Sequence, residues 1–475
     1  MKTICLFFEL HNFFHLKRYR FFEIGRDHYY YDDYANETSM NDLAEKSYRP
    51  TLDTLIEMAN THGKAFKVAL SVSGVALEHL ELHAPDVIEK IQELDKTGCL
   101  ELLTEPYSHG LSSLIDEEAF IDEVKRHSRK IKQVFGQTPK VLRNTNMLYS
   151  DEIGAVVADM GFKGMLTEGA KHMLGWKSPH YLYHCNQNPN LKLLLRDFKL
   201  SDDIGLRFAN SDWNEYPLFA STYMDWIASM PADEQIINIF MNMSSIGIAQ
   251  PLSSNILEFL KALPACAAER GITFSTPSEI IGKMKSAGQI DSSGLVSWSD
   301  EERDVSSWLG NAMQKEAFQK LYSVAEKVRL CNSRIIKQDW DYLQASNHLR
   351  FMSTKKSGTG IDRGIYESPY DAFTNFMNVL GDFLRRIDAL YPADMETEEL
   401  NSLVTTIRNQ SIEIEQLTTK LEALTKQTQP PQTATKPAKA KEGNIPVKKP
   451  KATKTGGKAS SKPAPAKAAT KSKTT

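Results

Sequence analysis

Val141-Leu142-Arg143-Asn144-Thr145-Asn146-Met147-Leu148-Tyr149 sets a short apolar run against an abrupt polar turn, and residues 150–160 continue with a helical pattern. Gly161-Phe162 breaks that pattern, and a second apolar run, 163–166, ends on Thr167-Glu168-Gly169. An apolar run, a polar turn, a helix and another apolar run make the repeating unit of a parallel sheet with crossover helices. Working outward, similar apolar runs stand at 3–8, 66–72, 100–104, 191–196 and 236–241, with helical patterns between them. The alternation predicts an α/β barrel or open sheet. In such folds the polar residues that close each strand gather at the carboxyl rim, where sites are built. Here those residues are Glu9 and His11, Glu105 to His109, Asn144 to Asn146, Glu168, Asp202 and Asp203, and Asn242.

Past about residue 290 the strand patterns stop and helical stretches follow at 306–328, 334–349 and 372–390, which read as a helical bundle. Leu400, Leu403, Ile407, Gln410, Ile414, Leu417, Leu421 and Leu424 then fall on a and d positions of a heptad repeat, the pattern of a coiled coil. The expected organisation is a barrel over 1–290, a helical bundle over 291–394, a coiled coil over 395–428 and a disordered tail over 429–475.

With 475 residues the chain can bury a large core, and its 41% hydrophobic and 25% charged content is that of an ordinary globular protein. The net charge of −3 conceals an asymmetry, because residues 431–475 hold 12 Lys against the single acid Glu442. The Lys-, Ala- and Pro-rich tail has almost nothing to bury and no aromatic side chains on which bases could stack, so nucleic-acid binding is not expected. Five widely spaced cysteines form no CxxC or His-paired pattern, which points to reduced thiols and to neither a structural metal nor a cofactor. No stretch approaches the roughly 18 apolar residues of a membrane span, and the first residues do not make a signal segment, so a cytoplasmic protein is expected.

Several motifs carry a family resemblance. Phe7-Phe8-Glu9-Leu10-His11, Glu101-Leu102-Leu103-Thr104-Glu105-Pro106-Tyr107-Ser108-His109, the Arg143-Asn144-Thr145-Asn146 turn and Arg196-Asp197-Phe198-Lys199-Leu200-Ser201-Asp202-Asp203-Ile204-Gly205 together resemble the α-amylase-like branch of glycoside hydrolase family 57. The resemblance spans about residues 1–390. It implies an incomplete seven-stranded (β/α) barrel followed by helices, acting on α-1,4-glucans with two carboxylates. A retaining glycosidase needs one carboxylate as nucleophile and the other as acid/base. The resemblance puts the nucleophile at 146, where this chain has Asn, and the acid/base at Asp203 in preference to Asp202.

The resemblance also assigns substrate contacts to His11, Glu105, His109, Asp202 and Trp308. Where the family shows an acid- and His-bearing run, this chain reads Asn242-Met243-Ser244-Ser245-Ile246-Gly247-Ile248-Ala249-Gln250, keeping the Gly and the Gln but not the acids. The expected protein therefore binds α-1,4-glucan with lost or impaired hydrolysis, and its coiled coil joins it to copies of itself or to another chain. The alternative is an active retaining α-amylase or 4-α-glucanotransferase that recruits Glu105 or Glu168 in place of the missing nucleophile.

Overall fold

The computed structural model describes residues 1–355 and 364–391, together with the isolated helical positions Thr406, Gln410 and Leu417. The remaining heptad positions and the basic tail lie outside the described residues.

Among the described residues there are ten strands: β1 (Thr3–Leu10), β2 (Val68–Val72), β3 (Leu100–Leu102), β4 (Val141–Arg143), β5 (Gly164–Glu168), β6 (Tyr183–Cys185), β7 (Lys192–Arg196), β8 (Ile236–Asn242), β9 (Thr273–Phe274) and β10 (Gln289–Ile290). One sheet runs β3-β2-β1-β8 with β9 added beside β1, and the other runs β10-β6-β7-β5-β4. Every pairing is parallel except β6 with β7.

The two sheets meet at two seams. The Thr104–Leu142 parallel bridge joins the end of β3 to β4. At the second seam, beyond the part of β7 that pairs with β6, Asp197 N donates to Asn238 O of β8 at 2.9 Å, and Asn238 Nδ2 donates to Leu195 O at 2.8 Å. The result is an α/β, barrel-like ring of parallel strands, tightly laddered except at these two seams. All the apolar runs quoted above are strands of the ring; β6, β9 and β10 are the additions. β1 is buried along its whole length, as expected of a central strand covered on both faces.

The crossover helices pack outside the ring, and their starts follow local chemistry. Asp116 caps Glu117–Phe135 through Ala119 N, and Ser150 caps Asp151–Asp159 through Ile153 N. The C-terminal helices, from Ser306–Leu309 to Pro369–Asp388, share a core with Phe14, Leu16, Tyr19, Tyr30 and Tyr31. The segment after β1 thus belongs as much to the helical core as to the sheet, which its position in the barrel portion did not foretell. Among the described residues no helix is long and apolar enough to cross a membrane.

Candidate functional site

A cavity of about 300 Å³ opens where the carboxyl ends of the strands face the C-terminal helices. The end of β1 and the residue after it contribute Glu9 and His11, and the turns after β3 and β4 contribute His109 and Asn146. Asn242 ends β8 and Ser244 lies in the turn that follows it, while Trp298, Trp308 and Arg350 come from the C-terminal side.

Asn146 owes its place to a tight turn. Asn144 accepts from Thr145 N through its side chain and donates to Leu148 O, closing the chain on itself. The turn puts Asn146 in the left-handed region at φ 54°, which Asn tolerates better than most residues. Its side-chain amide donates to Ser346 Oγ at 3.1 Å, and its backbone carbonyl accepts from Trp298 N at 3.1 Å.

Beneath the cavity floor lies a buried charged cluster. Arg143 pairs with Glu9 and, at 2.8 Å, with Glu105, while His109 stands 3.1 Å from Glu105. The three acidic and imidazole groups bring possible ligand atoms within 4.8 Å of one another, a geometry that could hold a cation. The Arg143 guanidinium already supplies positive charge to both carboxylates. Burial pushes Glu9 up from the usual carboxylate range, with Arg143 opposing. Burial also works against the charge on Glu105, but Arg143 and His109 outweigh it and hold Glu105 at about 2.

His11 stacks on His109, ring centroids 3.7 Å apart, and both its nitrogens are engaged, with Ser73 Oγ and Asn347 Oδ1 each at 2.8 Å. Burial, with the neighbouring His109 acting in the same direction, depresses the His11 pKa well below its ordinary value, so this imidazole is neutral. A second charged cluster sits below Trp298. Arg196 and Arg303 each lie 3.0 Å from Glu168, and both also pair with Asp202. The Arg143 and Arg196 guanidinia lie 5.3 and 5.8 Å from the Trp298 ring centre.

The structure brings His11, His109, Asn146 and Trp308 together in one cavity. It does not bring in the rest. Glu105 lies in the floor cluster and Asp202 in the Arg196 cluster. Asp203 faces a different cavity, with His180, Lys199, Arg207 and Trp213. Trp298 was not singled out in the sequence, because it lies in the polar stretch Ser297-Trp298-Ser299-Asp300, where no periodicity marks it. The only signal was a large aromatic isolated among small polar residues. Asn347 and Arg350 carried no signal, since they reach the cavity only through helix packing.

A parallel-stranded α/β protein with a polar, Trp-flanked cavity at its carboxyl rim keeps its candidate site where such folds build theirs. More particularly, the chain belongs to Glycosyl hydrolase family 57, whose match covers residues 5–293. It is 36% identical over 370 residues to a Methanocaldococcus jannaschii protein named "Putative alpha-amylase", covering 74% of this chain and 78% of that one. Among solved structures, a GH57 branching enzyme from Thermococcus kodakaraensis is similar in fold, with a TM-score of 0.60 at 12% identity, over 85% of this chain and 94% of that one. A 4-alpha-glucanotransferase from Thermococcus litoralis is similar at a TM-score of 0.58 and 14% identity, over 80% of this chain and 59% of the other.

Proposed function

We propose that this chain is an α-amylase-like family 57 protein that binds α-1,4-glucan, as glycogen, starch or maltooligosaccharide, with its hydrolytic chemistry lost or impaired. The observation that carries the proposal is the lining of the 300 Å³ cavity, in which Glu9 is the one carboxylate and is paired to Arg143. Retaining hydrolysis needs two carboxyl groups about 5–5.5 Å apart across the scissile bond. Position 146 offers a neutral amide, which cannot form the covalent glycosyl intermediate. Asp203, to which the resemblance gives the acid/base place, lines another cavity.

Binding is supported by what remains. Amides of Asn146 and Asn242, hydroxyls of Ser244 and Ser346, and Trp298, with Trp308 at the border of the helical core, supply donors, acceptors and apolar surface for sugar rings. Trp308 and His11 act as substrate contacts in this proposal, with His109 beside them. Glu105 and Asp202 act one layer back, fixing Arg143 and Arg196. The alternative of an active amylase or glucanotransferase would need Glu105 or Glu168 as nucleophile. Both are fully enclosed and ion-paired, which favours the binding reading.

The heptads within 395–428 are read as an assembly segment for a cytoplasmic oligomer, so deleting 396–428 should lower the solution mass to that of a monomer. Glycogen co-sedimentation tests the main proposal. The full chain should pellet with glycogen, and Trp308→Ala and His11→Ala should weaken that; a chain that stays in the supernatant would contradict it.

A further inference from the structure

Beside the seam between β7 and β8 lies a second cavity of about 820 Å³, which shares none of its lining residues with the first. It forms where the chain leaves β7, through Asp197, the short helix Phe198–Asp202 and the turn Asp203–Arg207. Its size is ample for an oligosaccharide-sized ligand.

Asp203 is 2% exposed; its Oδ1 accepts from Arg207 Nε at 2.8 Å, while its Oδ2 is enclosed with no partner. A buried acceptor left unpaired is unfavourable, and a hydroxyl donor brought into the cavity would satisfy it. Across the cavity Trp213 and Trp226 stand edge to face, ring centres 6.5 Å apart and both half-buried. One wall is stiffened by His180, held at 2.7 Å by Asp197 on one side and by Glu234 on the other.

The charges choose between ligand classes. Lys199 and Arg207 are offset by Asp197, Asp203 and Glu215, so nothing here favours a phosphate or other polyanion. A ligand with hydroxyl donors for Asp203, hydroxyl acceptors for Lys199 and Asn214, and an apolar C–H face for Trp213 is a saccharide.

We infer that this seam cavity is a second α-glucan-binding site, separate from the Asn146 cavity, with Asp203 accepting from a sugar hydroxyl and Trp213 carrying the ring. The inference rests on the glucan-binding reading above. Two cavities on one chain would hold a branched or long glucan at two points and raise its apparent affinity without new chemistry.

Titration calorimetry of the full chain with maltoheptaose tests it. Two sites per chain are expected. Asp203→Asn, which keeps the side-chain shape, should weaken one of them by about tenfold or more, and Trp213→Ala should weaken the same one. Trp308→Ala should weaken the other. A single site that Trp308→Ala abolishes and Asp203→Asn leaves intact would overturn the seam site while keeping the proposed function. A single site that Asp203→Asn weakens and Trp308→Ala spares would support the seam site and sink the Asn146 cavity instead. No heat of binding at all would overturn both.

Discussion

The two ends of the segment from Asn242 to Gln250 follow different rules. At its start, Asn242 and Ser244 line the cavity, at positions where the resemblance implies acids. At its end, Gly247 and Gln250 each have a mechanical task. Gly247 has φ +92°, and a Cβ there would lie 1.8 Å from Lys46 O. Gln250 is buried, accepting from Ala209 N at 2.7 Å and donating to Gly205 O at 3.1 Å. One end of the segment is needed by the fold, and the other lines the cavity.

The largest break in this contrast should come from Gly247→Ala. Its clash is with backbone and its φ is unfavourable, so the variant should lose upwards of about 3 kcal/mol or fail to fold; thermal unfolding reads this directly. Gln250→Ala leaves a buried N–H and C=O without partners and should cost about 2 kcal/mol by denaturant titration. At the cavity end the expectation reverses. Asn242→Asp and Ser244→Ala should shift stability by no more than about 0.5 kcal/mol, because these side chains make few contacts that the fold needs. A large loss at either cavity position, or a silent Gly247→Ala, would break the comparison.

The segment that carries Trp298 offers a pH-dependent version of the same contrast. Asp300 holds Arg350 through paired bonds of 2.9 and 3.0 Å, and Arg350 with Ser307 keeps its carboxyl down at about 2 against the opposing effect of burial. A depressed carboxyl contributes stability that is present above its unfolded value near 4 and is lost as pH falls toward 2. The difference in stability between the native chain and Asp300→Asn, about 1–2 kcal/mol at neutral pH, should therefore shrink through that window. A gap that stayed constant from pH 5 to pH 2 would contradict the pairing.

Much of the fold was legible because its signals are local. Each apolar run of the ring is bounded by polar residues, and a strand buried on both faces must be continuously apolar. β9 and β10 are two residues long, too short for any period, and were not legible. The site was legible only where strand ends decide it: His11, His109 and Asn146 follow directly from β1, β3 and β4. Asp202 and Asp203 are adjacent in sequence, yet one joins the Arg196 cluster and the other turns to the seam cavity. That divergence depends on how the short helix after β7 is rotated, and no spacing rule encodes it. Trp298 and Arg350 depend on the packing of distant elements.

The central claim is a saccharide cleft without its catalytic pair, and the most direct test is turnover. Incubated with maltoheptaose and amylose, the natural chain should release no new reducing ends and leave chain lengths unchanged. Asn146→Glu alone should not restore activity, because Asp203, to which the resemblance gives the acid/base place, lines another cavity and a Glu at φ 54° carries about 1–2 kcal/mol of strain. Turnover by the natural chain that Asp203→Asn abolishes would contradict the account.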